Sequence, residues 1–313
     1  MLKTQFNGQE YEIRKWQGES LGLKIAIDTE TTMAPFTETP ELITFQATDG
    51  TCVYYVERDE VDSFFMKNSE SIFVMHHAPF DIDVICKHVG DRNYFHKFIE
   101  KDQVRDTNLL FRLVHLATVG HVPFKSSLAH ISERLLNVEI SKDEAIRTTF
   151  DVYQGKSIVD ISPDHLAYGA IDVIATLACY NRLHNMCQST GSTTLLSHQI
   201  QLVGAVALNR IYKNGINFDT VRGRAKLEEL ESAMEYSQAQ LANYGWVRGV
   251  KGTKQRFEDI ITNFNITLPR TESGDLSSKS EDLLPYKNNP FVKHYLKFHE
   301  LEKLSSFIRD LVE

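Results

Sequence analysis

An apolar run near the N-terminus of this chain ends abruptly in two acidic residues. The run Leu23-Lys24-Ile25-Ala26-Ile27 leads directly into Asp28-Thr29-Glu30. A nearly continuous apolar stretch of this length is typical of a buried, central β-strand. By itself the Asp-x-Glu pair is a weak signal, because in an acidic chain it fits a solvated turn at a strand end at least as well.

Two more acidic motifs follow. Asp81 lies in His77-Ala78-Pro79-Phe80-Asp81, after the apolar run Ile72–Met75, where any acid in the first turn of a helix would be stabilised by the helix dipole. Tyr168 and Asp172 are four residues apart in a helical stretch and share one helix face, which also fits a structural Tyr–Asp hydrogen bond. Carboxylates are hard ligands for Mg²⁺ or Mn²⁺, and two such ions about 3.5–4 Å apart can hydrolyse a phosphodiester. Together the three motifs predict a nuclease.

The order of these motifs resembles the proofreading exonuclease domain of A-family (polymerase I-like) DNA polymerases, of the DEDDy class. That class has Asp-x-Glu, then Asn-x-x-x-Asp, then Tyr-x-x-x-Asp, and the matching residues here are Asp28, Glu30, Asp81, Tyr168 and Asp172. The sister class has a His where this chain has Ala167, which favours the tyrosine class. The usual Asn is replaced by His77, so its role in supporting the metal ligands stays open, since a His also titrates.

The resemblance implies a site with two divalent cations, Mg²⁺ or Mn²⁺. One ion would bind Asp28, Glu30 and Asp172, and the other Asp28 and Asp81. Tyr168 would position the attacking water, with Glu30 as its helper. The implied substrate is single-stranded DNA or a frayed 3′ end, released as nucleoside monophosphates.

Composition sets wider bounds. A length of 313 residues favours two domains, and a net charge of −8 argues against a protein that coats nucleic acid generally. No long apolar run opens the chain, so we expect neither a signal peptide nor a membrane span. The cysteines lack C-x-x-C spacing, which predicts buried free thiols and a cytoplasmic location, in the host cytoplasm if the protein is viral. They are Cys52, Cys86, Cys179 and Cys187.

Strand and helix signals alternate through the first 188 residues. The predicted strands are Leu23–Ile27, Glu41–Ala47, Thr51–Val56 and Ile72–Met75, with the hairpin signal Asp49-Gly50 between the second and third. The predicted helices cover roughly 81–89, 107–117, 127–136 and 163–185, the last starting at Ser162-Pro163-Asp164. This pattern predicts an α/β fold with a mixed sheet and flanking helices. With the resemblance, it becomes a ribonuclease H-like fold.

A polar stretch over 189–194 predicts a domain boundary. We assign residues 1–188 to an exonuclease domain, 189–196 to a linker and 197–313 to a mostly helical, thumb-like, DNA-binding domain. Helices are predicted over about 197–213, ending at Asn214-Gly215, and over about 220–244. Four pieces of this half resemble the polymerase thumb: 208–216, 253–255, 276–281 and 297–304.

A basic cluster and an apolar stripe are the candidate contact surfaces of this second half. Arg248, Lys251, Lys254 and Arg256 cluster in a Gly-containing loop that enters a helix at Thr253-Lys254-Gln255. This is either an ordinary solvated loop or a tip that contacts DNA phosphates. The stripe in the last helix either packs within its own domain or docks a palm-containing polymerase chain. Its members are Phe298, Leu301, Leu304, Phe307, Ile308 and Leu311.

The leading interpretation is a 3′-5′ exonuclease acting on DNA, as the exonuclease-plus-thumb part of a split or truncated A-family polymerase. The resemblance stops before palm and fingers, so we expect no polymerase activity from this chain alone. An RNA-trimming exonuclease of the ribonuclease D kind shares the tyrosine pattern, but it carries different helical modules. A non-catalytic clamp that only holds DNA or a polymerase is the third interpretation, and the five intact site residues argue against it.

Overall fold

The computed structural model describes residues 2–35, 37–140, 144–190 and 193–312, without the side chains of Glu144 and Thr190. The chain divides into two compact units, Met1–Gly215 and Ile216–Glu313. The division lies after the helix Thr193–Asn214, which begins inside the predicted linker over 189–196. That helix therefore groups with the first unit, which is longer than the domain assigned to 1–188.

A mixed sheet forms the centre of the first unit. Its strands are β1 Leu2–Phe6, β2 Gln9–Lys15, β3 Lys24–Thr31, β4 Leu42–Thr48, β5 Val53–Val56, β6 Ile72–Met75 and β7 Val104–Asp106. Their order across the sheet is β1-β2-β5-β4-β3-β6-β7. Strand β3 pairs antiparallel with β4 and parallel with β6, so it is an interior strand, as its apolar sequence predicts. Strands β4 and β5 are antiparallel neighbours on either side of the Asp49-Gly50 signal.

The N-terminal hairpin of β1 and β2 is missing from the sequence-based prediction. Its turn is Asn7-Gly8, with φ of 51° and 76°. Two consecutive positive φ angles form a type I′ turn, for which Asn-Gly is a preferred pair. The dipeptide was a usable signal, but the flanking strands are polar and show little of the apolar alternation that marks a half-buried strand.

Helices cover both faces of this sheet. They are α1 Val61–Lys67, α2 Ala78–Val89, α3 His96–Glu100, α4 Thr107–Val119, α5 Leu128–Leu136, α6 Glu144–Arg147, α7 Pro163–Thr190 and α8 Thr193–Asn214. In β3, Ile25 and Ile27 join the core that contains residues of α1, α2 and α8, whereas Ala26 joins the core with α4, α5 and α7. A mixed sheet between two helical layers confirms the predicted α/β class.

Several helix bounds differ from the prediction. Helix α2 begins at Ala78, three residues before Asp81, with Pro79 in its first turn. Helix α7 extends to Thr190 and α8 begins at Thr193, so both of these ends lie inside the predicted linker. Ser and Thr favour helix starts as well as loops, so composition alone did not separate a helix end from a linker.

The second unit is mostly helical, as predicted. Its helices are α9 Thr220–Ala242, α10 Thr253–Asn263, α11 Ser280–Leu283 and α12 Pro290–Val312. Helices α9 and α12 pack along each other. The core beside them is rich in aromatic side chains, including Trp246, Phe257, Phe291, Tyr295 and Phe298.

The predicted apolar stripe of α12 is not one continuous surface. Phe298 and Leu301 are buried in the second unit itself. Leu304, Phe307 and Leu311 are exposed, and 65% of the surface of Phe307 is accessible to solvent. The N-terminal half of the stripe therefore packs within its own unit, and the docking interpretation applies only to the C-terminal half.

All four cysteines are buried free thiols, as their spacing predicts. Among the described helices, none is long and apolar enough to cross a membrane. The cellular compartment stays a prediction.

Candidate active site

Strand β3 directs neighbouring polar residues to opposite faces of the sheet. Asp28 and Glu30 share the face of Ala26, which α7 covers, because side chains alternate along a strand. Thr29 lies on the other face and contacts α2. A β-bulge between Glu30 and Thr31 ends the regular pairing with β4, and such bulges re-aim side chains beside functional sites.

Helix α7 brings Asp172 to the acids of β3. One carboxylate oxygen from each of Asp28, Glu30 and Asp172 lies within 4.8 Å of the others, and all three side chains are half-buried. Tyr168 is one turn earlier on the same helix face as Asp172. The fold thus unites two of the three predicted motifs in one acidic pocket.

The acids of this pocket repel one another. Burial first, and then the charges of Asp81, Glu30 and Asp172, raise the pKa of Asp28 well above its ordinary value. Gln46, which faces Asp28 in the β3–β4 register, opposes this shift by donating from Nε2 to Asp28 Oδ2 at 2.7 Å. A bound divalent cation would relieve the repulsion. An all-oxygen donor set of this kind fits Mg²⁺ or Mn²⁺.

Asp81 approaches from α2 and is 2% exposed. Its Oδ1 accepts hydrogen bonds from Thr29 N at 3.1 Å and Thr29 Oγ1 at 2.7 Å. Burial raises the pKa of Asp81 to about 7, although these hydrogen bonds act to lower it. Asp81 lies outside the set of oxygens within 4.8 Å of one another, but its charge reaches Asp28.

Gly169 sets how closely α7 approaches the sheet. A Cβ added at Gly169 would lie 2.7 Å from Tyr55 Oη and 2.9 Å from Gln46 Nε2. Tyr55 is itself fixed, because its Oη donates to the carbonyl of Leu166 on α7 at 2.6 Å. Only glycine permits this contact, which holds Tyr168 and Asp172 beside β3.

The Tyr168 ring lies in a small aromatic cluster. The ring centroid of Phe150 lies 6.2 Å from that of Tyr168 and 4.8 Å from that of His165. Burial, and then the negative charges of Asp172 and Glu30, raise the pKa of the Tyr168 phenol above its ordinary value. The phenol therefore stays protonated at neutral pH and is suited to hydrogen bonding rather than to proton abstraction.

His77 occupies the position where its predicted family has Asn. It is the N-cap of α2 with a left-handed backbone, φ 68° and ψ 51°, and its side chain is exposed. Asp106 accepts from the backbone N–H groups of His77 at 3.1 Å and Ala78 at 3.0 Å. Buried His198 of α8 in turn accepts from the Asp106 N–H at 2.9 Å. The support for this end of α2 comes from Asp106, whereas a role for the His77 imidazole stays a prediction.

The predicted DNA-binding cluster lies in the second unit. Arg248 forms an ion pair with Glu302 at 2.8 Å, and Lys254 forms one with Asp275 at 3.3 Å. These two cations and Lys251 line a cleft of about 760 Å³. A phosphate would have to compete with the two acids, and DNA contact by this cluster stays a prediction.

Arg256 differs from the other three cations. Its Nε donates to the carbonyl of Tyr244 at 3.0 Å, and its guanidinium lies against Gly245. Arg256 thus holds the loop after α9, which gives it a structural contact that the sequence did not indicate.

Four supporting residues were missed as functional candidates in the sequence. Thr29 stands between two acids, and its position on the opposite face follows from strand alternation. Gln46 and Thr44 are the two polar residues in the otherwise apolar part of β4 over Leu42–Ala47. Gly169 lies between Tyr168 and Asp172, and Asp106 directly precedes the predicted helix over 107–117, but the roles of both depend on distances across the fold.

A polymerase is among the solved structures with a similar fold. The POL domain of Pol1 from M. smegmatis, in complex with DNA primer-template and dNTP, aligns with TM-score 0.67 at 12% identity, over 94% of this chain and 47% of that chain. This chain thus spans about half the length of that polymerase structure. Escherichia coli RNase D, an exoribonuclease involved in structured RNA processing, aligns with TM-score 0.46 at 14% identity, over 88% of this chain and 70% of that chain. The fold is the predicted ribonuclease H-like exonuclease fold with a helical C-terminal region.

The sequence itself matches a family. A search of curated protein sequences finds no match. Residues 5–188, more than half of the chain, match the model of the 3′-5′ exonuclease domain of the DNA polymerase A type. This range contains strands β2 to β7, α2 and most of α7, and with them Asp28, Glu30, Asp81 and Asp172. The chain therefore belongs to the 3′-5′ exonuclease domain family of A-type DNA polymerases.

Proposed function

We propose that this chain is a DEDDy-class exonuclease that removes nucleotides from DNA 3′ ends. The observation that carries the proposal is the convergence of Asp28, Glu30 and Asp172 within 4.8 Å, with Tyr168 one helical turn from Asp172. Family membership supplies the direction of cleavage. The acids alone would fit many cation sites, but the tyrosine beside them favours hydrolysis.

The proposed site holds two divalent cations. Asp28, Glu30 and Asp172 would hold one ion, and Asp28 and Asp81 the other. Such a pair, when bound, supplies water activation and neutralises charge on the leaving oxygen. Asp81 contributes the oxygen that Thr29 does not occupy, since Thr29 donates twice to Oδ1.

Tyr168 and Glu30 are proposed to orient the attacking water. The raised pKa of Tyr168 keeps its hydroxyl protonated, so it can hold a water by hydrogen bonding at neutral pH. The Glu30 carboxylate can accept a hydrogen bond from the same water. Correct placement of the nucleophile is worth several orders of magnitude in rate for an intramolecular-like reaction.

DNA is the proposed substrate, preferably a single strand or a frayed 3′ end. The A-type polymerase family model and the fold of the Pol1 domain favour DNA over RNA. A duplex end must melt before its last nucleotide reaches a half-buried site, so a mismatch should accelerate cleavage. RNA trimming is the alternative outcome of the test below.

The second unit is proposed to act as a thumb-like module that contacts DNA. Support comes from the likeness to the Pol1 domain, which extends over 94% of this chain and so includes residues beyond 215. A palm-containing polymerase chain is a proposed partner. Its docking site would include the exposed residues Leu304, Phe307 and Leu311.

A paired nuclease assay tests the proposal. Oligonucleotides of identical sequence, labelled at the 5′ end, are supplied as single-stranded DNA, DNA duplex with paired or mismatched 3′ end, and RNA. We expect a ladder of 3′-shortened DNA products in Mg²⁺ or Mn²⁺, faster from the mismatched end, and none with excess chelator. Asp172→Ala, which removes one ligand, is the negative control.

Two results would contradict this function. Undiminished cleavage in chelator, or by Asp172→Ala, would exclude the metal mechanism at these residues. Faster cleavage of RNA than of DNA would replace the proofreading role with RNA trimming.

A further inference from the structure

Gln46 is a buried polar residue that the proposed chemistry leaves without a role. It is 0% exposed, lies opposite Asp28 in the β3–β4 register, and donates from Nε2 to Asp28 Oδ2 at 2.7 Å. From this contact we infer that Gln46 is a positioning residue, which holds the Asp28 carboxylate in the orientation that binds the divalent cation. The inference rests on the proposed function, because that function makes Asp28 the ligand shared by both ions.

Asp28 sets the orientation of the Gln46 amide, and Thr44 is compatible with it. Thr44 Oγ1 donates to Gln46 Oε1 at 2.9 Å, and Thr44 is buried as well. Since a carboxylate can only accept, the NH₂ group must face Asp28, and the amide oxygen must then face Thr44. The two contacts agree with each other, so the amide is locked in one of its two flips.

Packing gives the Gln46 side chain no room to turn away. Gly169 of α7 closes over it, and even a methyl group at Gly169 would lie 2.9 Å from Nε2. A buried, packed amide in a fixed rotamer loses no further entropy when it binds the carboxylate. Asp28 therefore meets a preformed donor before any cation is bound.

A neutral donor suits this position better than any charged side chain. A Lys or Arg would compete with the cation for Asp28, and another acid would add to the repulsion already present. An amide occupies one oxygen of Asp28 and leaves the full negative charge for the metal. Outer partners that orient metal ligands typically contribute about 10–100-fold to metal affinity.

The test measures Mn²⁺ binding to the intact chain without nucleic acid, by calorimetry or by the loss of the free Mn²⁺ paramagnetic resonance signal. Gln46→Met keeps the length of the side chain and removes its donor. We expect Gln46→Met to weaken Mn²⁺ binding about 10–100-fold. The half-saturating Mn²⁺ concentration for cleavage should rise by a similar factor, while KM for the oligonucleotide stays unchanged.

Thr44→Val provides a second variant if Gln46→Met does not fold. It leaves Gln46 in place but removes the hydroxyl that locks the amide, and we expect about fivefold weaker Mn²⁺ binding from the loss of one hydrogen bond. Thr48→Val is its matched control on the same strand. Thr48 Oγ1 donates to the Cys52 carbonyl at 2.7 Å and accepts from the Gly50 N–H at 3.0 Å, so this variant loses two hydrogen bonds away from Asp28. It should lower Tm without changing Mn²⁺ affinity.

The outcomes separate this inference from the proposed function. Wild-type Mn²⁺ affinity in folded Gln46→Met or Thr44→Val overturns the role of Gln46, as does an equal loss in Thr48→Val. A wild-type chain that binds Mn²⁺ but cleaves neither DNA nor RNA overturns the proposed function, while the affinity ratios still decide the role of Gln46. A wild-type chain that binds no Mn²⁺ overturns both.

Discussion

Replacing Gly169 by alanine is expected to separate α7 from the sheet and damage both stability and cleavage. The new Cβ would lie 2.7 Å from Tyr55 Oη and 2.9 Å from Gln46 Nε2, well inside normal contact distance. Neither neighbour can withdraw cheaply, because Tyr55 is bonded to Leu166 and Gln46 to Asp28. Relief of the clash must break one of these bonds or move the helix.

The magnitude follows from two opposing effects. Breaking a hydrogen bond to a charged group costs about 1.5–3 kcal/mol. Alanine in a helix interior is favoured over glycine by up to about 1 kcal/mol. The net loss is then about 0.5–2 kcal/mol, which lowers Tm by about 1–8 °C for a unit of this size. A helix shift of about 1 Å would cost roughly 100-fold in rate, since Asp172 and Tyr168 move with α7.

Thermal unfolding by circular dichroism, with the oligonucleotide assay alongside, measures both effects. Gly204→Ala is the matched control, because Gly204 is also inside a helix and has no heavy atom within 4 Å of its added Cβ. That variant should gain up to about 1 kcal/mol and keep its rate. If Gly169→Ala behaved like Gly204→Ala, the close approach of α7 would not be what holds the site together.

Three further results are expected. Tyr168→Phe should lose about one to three orders of magnitude in rate with unchanged oligonucleotide binding, because only the water-orienting hydroxyl is removed; a wild-type rate would leave Tyr168 with a structural role. Stabilisation by Mg²⁺, measured as the rise in Tm, should grow between about pH 4 and about pH 7. The pKa of Asp81 in the folded state is raised to about 7, above an unfolded value near 4. The protonated Asp81 therefore stabilises the metal-free fold at low pH, and this contribution is lost as the pH rises through this window. Asp81→Asn should flatten that dependence, and an unchanged slope would assign it to other acids. The double variant Lys251→Ala/Lys254→Ala should weaken the binding of long DNA duplexes and reduce the slope of its salt dependence by about one unit per lost phosphate contact. Cleavage of very short single strands should not slow. An equal loss on both substrates would indicate a folding role.

Local patterns predicted the parts of the fold that are decided locally. The apolar run before Asp28 identified an interior strand, and Ser162-Pro163-Asp164 identified the start of α7. The α/β class followed from the order of such elements. Strands β1 and β2 were not predicted, because they are polar and lack apolar alternation. The adjoining ends of α7 and α8 were not predicted, because the stretch near 189–196 has a composition that fits both a linker and a helix end.

The site was predictable as a set of residue types, but its support was not. Asp28, Glu30 and Asp172 could be proposed from their motifs, whereas the Gln46 contact depends on which residue of β4 faces Asp28. Register is fixed by the whole sheet and cannot be read from either strand alone. Likewise, the ion pair of Arg248 joins residues distant in sequence, so a cluster of cations resembled an uncompensated patch.

The hydrogen bond from Asp106 to His198 has a practical consequence for anyone isolating the nuclease as a minimal fragment. The family match ends at residue 188, but α8 begins after it and supplies the acceptor for the buried N–H of Asp106. Helix α8 also contributes Leu202 and Val206 to the core that includes α2. A fragment that ends at residue 188 would expose that core. It would also leave the N–H of Asp106 without its acceptor, next to the N-terminus of the helix that carries Asp81. A fragment that ends at Gly215 would keep the whole compact unit. The segment matched by the family model is therefore shorter than the segment that packs as one unit.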